Sequence, residues 1–350
     1  MRRLLLPDGD VKTPQEEVKL LGITLDSGLK FRSHIKKMTS RAERTLQQMW
    51  RLGGCYHGLT GASFRQLFMT CVLPLMEYGI EVWYKESNKT QKEQLQRLQN
   101  RGLRRILGAV RDTPIAVLHV ESAILPLHER WRLLVSRRAL RLQYYISPTS
   151  PLAGLKPSGP RKKYSPIHCI QQLLEHDVQD PPPPIEDRRK PPWEEQWVDA
   201  DGAKWLRQYA DKQILLLKKA EERWQEQYDN DPKGAWFRQM EPKMVCTTSV
   251  TKLRLKWTLR DAPRRILSKI VQYRSGHGLV GAWRQHISRG EDTEEFNCPC
   301  GTLQTIQHIL KECILSETRR HFLREISPTL EERVLLGTAR GIKAMEKFLA

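Results

Sequence analysis

Residues 95–112 read LQRLQNRGLRRILGAVRD, and the recurrence of their side chains decides the fold. Leu95, Leu98, Gly102 and Ile106 stand three or four apart, so a helix gathers them on one face. Arg97, Arg101, Arg104 and Arg105 gather on another. The same period continues outward. It predicts a helix from Ser33, as N-cap, to Leu52, with Ile35, Met38, Ala42, Leu46 and Met49 as its apolar stripe. It predicts others from about Thr90 to Leu107 and from about Leu127 to Tyr145. Phe64, Leu67, Phe68, Cys71 and Leu75 outline a further helix that Pro74 should bend. VKLLGITL, residues 18–25, reads as a buried strand followed by the turn Asp26-Ser27-Gly28. The expected fold class is mainly α with a small N-terminal β element.

Composition narrows the partners. The chain has 350 residues, 59 Lys plus Arg against 40 Asp plus Glu, and a formal charge of +19, the electrostatic footprint of a protein that meets a polyanion. RNA or DNA is the expected partner, because the basic helices have ordinary core-like apolar faces rather than the aromatic-rich face of a membrane-surface helix. No apolar run is long enough to span a bilayer, and the start, MRRLLLPDGD, is too short in its apolar part for a secretory signal. An intracellular location, nuclear or cytoplasmic, is the expectation. Hydrophobic residues make up only 39% and mean hydropathy is −0.58, which points to narrow cores and long amphipathic helices.

The texture changes along the chain. Between Ser147 and Pro192 it becomes SPTSP, PSGPRKKYSP, the prolines Pro181 to Pro184 and RRKPPW, a composition that suits a semi-rigid linker able to dock a protein partner. A long helix is expected from Ala203 to Tyr228 and another from about Ala262 to Tyr273. The expected division is 1–32, a strand-containing start; 33–146, a basic helical domain; 147–196, the Pro-rich linker; 197–275, a helical segment; 276–326, a Cys-His module; and 327–350, a C-terminal helix.

Seven cysteines occur, of which Cys55, Cys71, Cys169 and Cys246 are scattered. Cys298, Cys300 and Cys313 cluster instead with His308. Four thiolate and imidazole ligands suit structural zinc, with Pro299 and Gly301 fitting a turn and Thr305 to His308 starting a helix. Two features are irregular: a single residue separates the first two cysteines, and His308 and Cys313 stand five apart, which a regular helix does not align. Buried free thiols beside a chance histidine are the alternative, and His277, His286 and His321 are possible replacement ligands.

Phosphate contacts are expected from Lys37, Arg41 and Arg44 on the first helix, from Arg97, Arg101, Arg104, Arg105 and Arg111, and from Arg137, Arg138 and Arg141, because guanidinium groups bind phosphate bidentately. Between Arg97 and Arg111 there is no Asp or Glu, which favours phosphate contact over the alternative, a solvated helix face with acidic neighbours. Asp199 and Asp201, near Glu194 and Glu195, read as an acidic surface patch rather than a Mg²⁺ site. Trp50, Trp83, Trp131, Trp224 and Trp257 read as core anchors more than as stacking platforms for bases. Gly276-His277-Gly278 reads as a turn, and no Walker A, HExxH or nucleophile-elbow pattern occurs.

Taken in order, VKLLGITLDSGLKFRSHI (18–35), CVLPLMEYGIEVW (71–83), LQRLQNRGLRRILGAVRDTPIAVL (95–118), RWQEQYDNDPKGAWFRQMEP (223–242) and IVQYRSGHGLVGAW (270–283) with the Cys-His cluster resemble the C-terminal half of non-LTR (LINE, jockey-type) retrotransposon polyproteins. The resemblance implies the end of a reverse-transcriptase palm at 1–32, a thumb-like domain at 33–146, a segment following RNase H at 197–275 and a zinc-knuckle-like terminal module. It also implies RNA-directed DNA polymerase and RNase H as the family's activities. The departures matter as much. The polymerase holds two metal ions on adjacent aspartates, and no Asp-Asp pair occurs in this chain. The chain is expected to be truncated, to start after the catalytic palm, and to have lost most of RNase H internally. Mg²⁺ would serve only those missing catalytic parts. The expected activity is binding of RNA or DNA, with a role as part of a longer polymerase, or as a protein-interaction scaffold, as the alternatives.

Overall fold

The computed structural model describes residues 4–5, 11–13, 15–54, 57–84, 89–145, 176–178, 200–241, 262–288 and 294–350. Most of the Pro-rich segment lies outside these residues, as do Cys55, Cys169, Cys246, Trp257 and Asp199. Two antiparallel hairpins come first: β1 (Leu4–Leu5) with β2 (Val11–Lys12), and β3 (Glu17–Leu20) with β4 (Ile23–Asp26). The single buried strand expected over 18–25 is thus two strands, and β3 is exposed throughout. Leu21 and Gly22 both have positive φ, the turn that matches strand twist, and it folds the segment back on itself. The turn at 26–28 forms as expected, with Asp26 Oδ1 accepting the N–H groups of Gly28 (3.1 Å) and Lys30 (2.8 Å).

The helices of the first half are α1 (Arg32–Trp50), α2 (Gly61–Leu67), α3 (Leu73–Glu77), α4 (Ile80–Trp83), α5 (Lys89–Leu107), α6 (Ile115–Ser122) and α7 (Leu127–Tyr145). α1 begins one residue before the expected Ser33 cap. Its N-cap is the buried Phe31 at φ 54°, and no side chain caps it. A π turn, Phe68–Val72, joins α2 to α3 where Pro74 lacks an N–H to donate, so the expected bend is a widened turn. Ile35, Met38, Ala42 and Leu46 of α1 pack with Phe68, Leu73 and Met76 and with Leu95, Leu98 and Ile106 of α5 in one buried cluster. Gly102 belongs to that stripe because the Phe68 ring occupies the space a Cβ would need.

Further along come α8 (Ala200–Asp229), α9 (Ala235–Met240), α10 (Arg264–Ser275), α11 (Gly281–Ile287), α12 (Glu317–Arg324), α13 (Glu332–Gly337) and α14 (Ala339–Leu349). α8 packs along α7, burying Leu216, Leu217, Ala220 and Trp224, and α10 packs across the end of α5. Arginine makes these joints. Arg264 donates to the carbonyls of Arg105 and Ile106 at the C-terminal end of α5 and to Gly54 O (3.1 Å). Carbonyls at a helix end have no partner within the helix, and a cation there also meets the negative end of the helix dipole. Arg274, fully buried, pairs with Glu121 of α6 and with Glu241 (3.1 Å) and donates to Leu336 O of α13.

Candidate metal centre and nucleic-acid interface

The turn that starts the Cys-His module follows from its sequence. Gly301 N–H donates to Cys298 O (2.8 Å) and Cys298 N–H to Thr302 O (2.7 Å), with Gly301 at φ 92° in open space, a backbone conformation that glycine adopts without strain. The irregular spacing of five is resolved by a π turn over His308–Glu312, in which Cys313 N–H donates to His308 O (2.7 Å). That wider turn brings Cys313 back over His308. The four side-chain ligand atoms of Cys298, Cys300, His308 and Cys313 all lie within 4.8 Å of one another. Cys298 Sγ is 3.5 Å from Cys313 Sγ, and Cys300 Sγ is 3.1 Å from His308 Nε2.

This constellation can hold a metal ion. Tetrahedral zinc with bonds of about 2.3 Å sets thiolates roughly 3.8 Å apart, close to what is seen. A hydrogen bond from the Thr302 N–H keeps the Cys300 thiol below its ordinary value, which favours the thiolate that ligates metal. His308 presents Nε2 to the cysteines. Its Nδ1 is buried without a hydrogen bond, and Glu312 Oε2 lies 3.6 Å away, the position of a carboxylate that orients a ligating imidazole. The buried Arg320 donates to Leu310 O (2.9 Å) and Cys313 O (2.7 Å), fixing the turn from outside. His277, His286 and His321 are not in the cluster.

The basic residues separate into two kinds. Lys37, Arg41 and Arg44 are exposed on α1 and line a groove of about 1180 Å³ between α1, the β3–β4 hairpin and Tyr78. Lys19 and Lys36 line it too, and Glu17, bonded to Lys37 at 3.3 Å, is its one carboxylate. The half-exposed Tyr78 is fixed in the wall, its hydroxyl donating to Leu21 O (2.7 Å). Behind it, His34 Nδ1 accepts from Thr24 N–H (3.4 Å) and Nε2 donates to Tyr78 O (3.3 Å). Desolvation keeps His34 below its ordinary value and therefore neutral.

Arg97 and Arg111 are exposed, and Arg101 pairs with Glu43 at 2.8 Å. Arg104 is half-buried. Arg105 turns inward instead, donating to Trp50 O (2.8 Å) and Gly53 O and lying over the Trp50 and Phe64 rings. Arg137, Arg138 and Arg141 line a second groove of about 520 Å³ with Glu77, Glu81, Tyr78 and Tyr209, and Arg138 stands 4.0 Å from Glu81. Sequence reasoning missed Lys19 and Lys36. Lys36 was findable, being one helical turn before Ser40 and two before Arg44, whereas Lys19 reaches the groove only through the hairpin. Trp83, Trp131 and Trp224 are core anchors, Trp83 meeting Trp131 edge-on at 5.3 Å, while Trp50 is exposed. No helix among the described residues is long and apolar enough to cross a membrane.

Residues of this chain are similar to a Drosophila melanogaster protein described as "Probable RNA-directed DNA polymerase from transposon BS", at 31% identity over 163 residues. The alignment covers 43% of this chain and 17% of that protein, so the chain spans well under a fifth of the relative's length. No family model and no solved structure matches.

Proposed function

From its kinship with a transposon RNA-directed DNA polymerase, which bears out the non-LTR retrotransposon resemblance, we propose that this chain binds RNA or DNA and contributes no polymerase site of its own. The groove beside α1 carries the proposal: Lys19, Lys36, Lys37, Arg41 and Arg44 converge there against a single carboxylate. Five phosphate contacts on a duplex give a slope of log K against log salt of about −4.5. Fluorescence anisotropy with a labelled duplex between low and moderate salt measures it, and an affinity that stays flat overturns the reading.

In this reading the Cys-His module folds around zinc, held by Cys298, Cys300, His308 and Cys313, as a structural rather than catalytic ion. Metal analysis of the purified chain is expected to give one zinc, lost in Cys298→Ser. The domain limits at 146, 196, 275 and 326 belong to the same reading. The absence of an Asp-Asp pair favours binding over synthesis, because two-metal phosphoryl transfer needs paired carboxylates. Primer extension by this chain with Mg²⁺ would contradict it.

A further inference from the structure

A cavity of about 440 Å³ opens between α10, the end of α14 and the Cys-His module, whose Cys298 and Cys313 form part of its lining, a volume in the range of small-ligand sites. Its chemistry is one-sided. Lys269 of α10 and Arg319 of α12 line it, and no Asp or Glu does. Neither cation has a hydrogen bond or ion pair among the described residues. Burial, then the neighbouring charges of Arg265 and Arg319, lower the affinity of Lys269 for its proton, and of these neighbours Arg265 is the one with a partner, donating to Ala350 O (3.0 Å).

The lining is also apolar in part. Leu279 is 41% exposed and Leu315 60% exposed, and both line the cavity with Phe348. Gln304 lines the cavity too. Its Oε1 accepts from Gly281 N–H (3.2 Å), while its NH₂ has no partner among the described residues. Cations without carboxylates call for an anion, an apolar lining calls for a flat hydrophobic body, and an uncommitted amide can read a polar edge. A nucleotide unites these three features.

We propose that this cavity takes one unpaired nucleotide of a single-stranded nucleic acid, its phosphate between Lys269 and Arg319 and its base against Leu279, Leu315 and Phe348. The proposal rests on the nucleic-acid reading above and adds a preference to it. A base held in a duplex cannot enter a cavity of this size without leaving its stack, so the site favours single strands.

The test compares the full chain with the variant Lys269→Gln/Arg319→Gln, using a labelled 20-nucleotide single strand and a duplex of the same length. Loss of two charged contacts is expected to weaken single-strand binding about ten-fold and duplex binding less than about two-fold. Leu315→Ala, which removes wall and no charge, is expected to weaken the single strand about three-fold. Arg41→Gln/Arg44→Gln should show the reverse preference, weakening the duplex. Equal losses on both ligands in Lys269→Gln/Arg319→Gln, or no loss, overturn the cavity and leave the groove standing. If the unaltered chain binds neither ligand, the nucleic-acid reading falls and the cavity with it. Tighter binding of an acidic peptide than of the single strand would also overturn the proposal.

Discussion

Cations serve opposite ends in two regions of the molecule, the groove beside α1 and the helix joints of the C-terminal half. On α1, Lys36, Lys37, Arg41 and Arg44 stand exposed over a groove with one carboxylate. In the C-terminal half, Arg264, Arg274 and Arg320 are buried and donate to backbone carbonyls or pair with carboxylates. A formal charge of +19 therefore overstates the surface offered to a polyanion, because part of it holds helices together. Burial and partners, and not residue type, separate the two uses.

The largest expected effect lies at Arg274. Arg274→Met leaves Glu121 buried without its cation, and removing one partner of a buried pair costs about 3–5 kcal/mol. Urea unfolding checks this, with Glu121→Gln in the same chain expected to recover part of the loss. A cost no larger than that of an exposed arginine would erase the distinction between the two regions.

Next is a buried group that titrates. His119 is pushed down to about 4, chiefly by burial, while its Nδ1 donates to Ile124 O (2.9 Å) and Gln96 lies 3.3 Å from Nε2. The unfolded chain, with an ordinary value near 6.5, takes up the proton first. The contribution is complete above about pH 6.5 and is lost as pH falls toward 4, about 3 kcal/mol in all. Unfolding free energies at pH 7 and pH 4.5 in this chain and in His119→Gln are expected to differ in their pH dependence, and parallel slopes would contradict the assignment.

Arg264→Lys is expected to cost about 2 kcal/mol, because an ammonium cannot serve the three carbonyls that the guanidinium fork reaches. The smallest effect on stability belongs to Arg41→Gln/Arg44→Gln, below about 0.5 kcal/mol. The same pair should reduce the salt slope of duplex binding by about 2, so folding and binding respond in opposite order across the two regions.

The amphipathic helices were legible because their stripes are periodic: Ile35 to Met49 and Leu95 to Ile106 are buried as the spacing required. The four clustered ligands were legible from residue type and proximity along the chain. The hairpin at 17–26 was not, because VKLLGITL reads as one largely apolar strand and gives no sign that Leu21 takes a positive φ. Nor was the inward turn of Arg105. It lies on the same helix face as its neighbours in sequence, and only the carbonyls of Trp50 and Gly53, more than fifty residues away, draw it in. The grip of Arg264 on the end of α5 likewise depends on a contact across more than 150 residues, which no local pattern encodes.

The π turn at His308–Glu312 amounts to one surplus residue absorbed within a single turn. Its tolerance to change in length is therefore lopsided. Taking Lys311 away relaxes the segment to an ordinary helical turn, in which residues four apart still face the same side and the two ligands stay aligned. Adding a residue leaves no regular helical turn that points both at one centre. A shortened chain is expected to keep the four ligand atoms together, able to hold a metal ion, and a lengthened one to separate them, so this module can drift in one direction only.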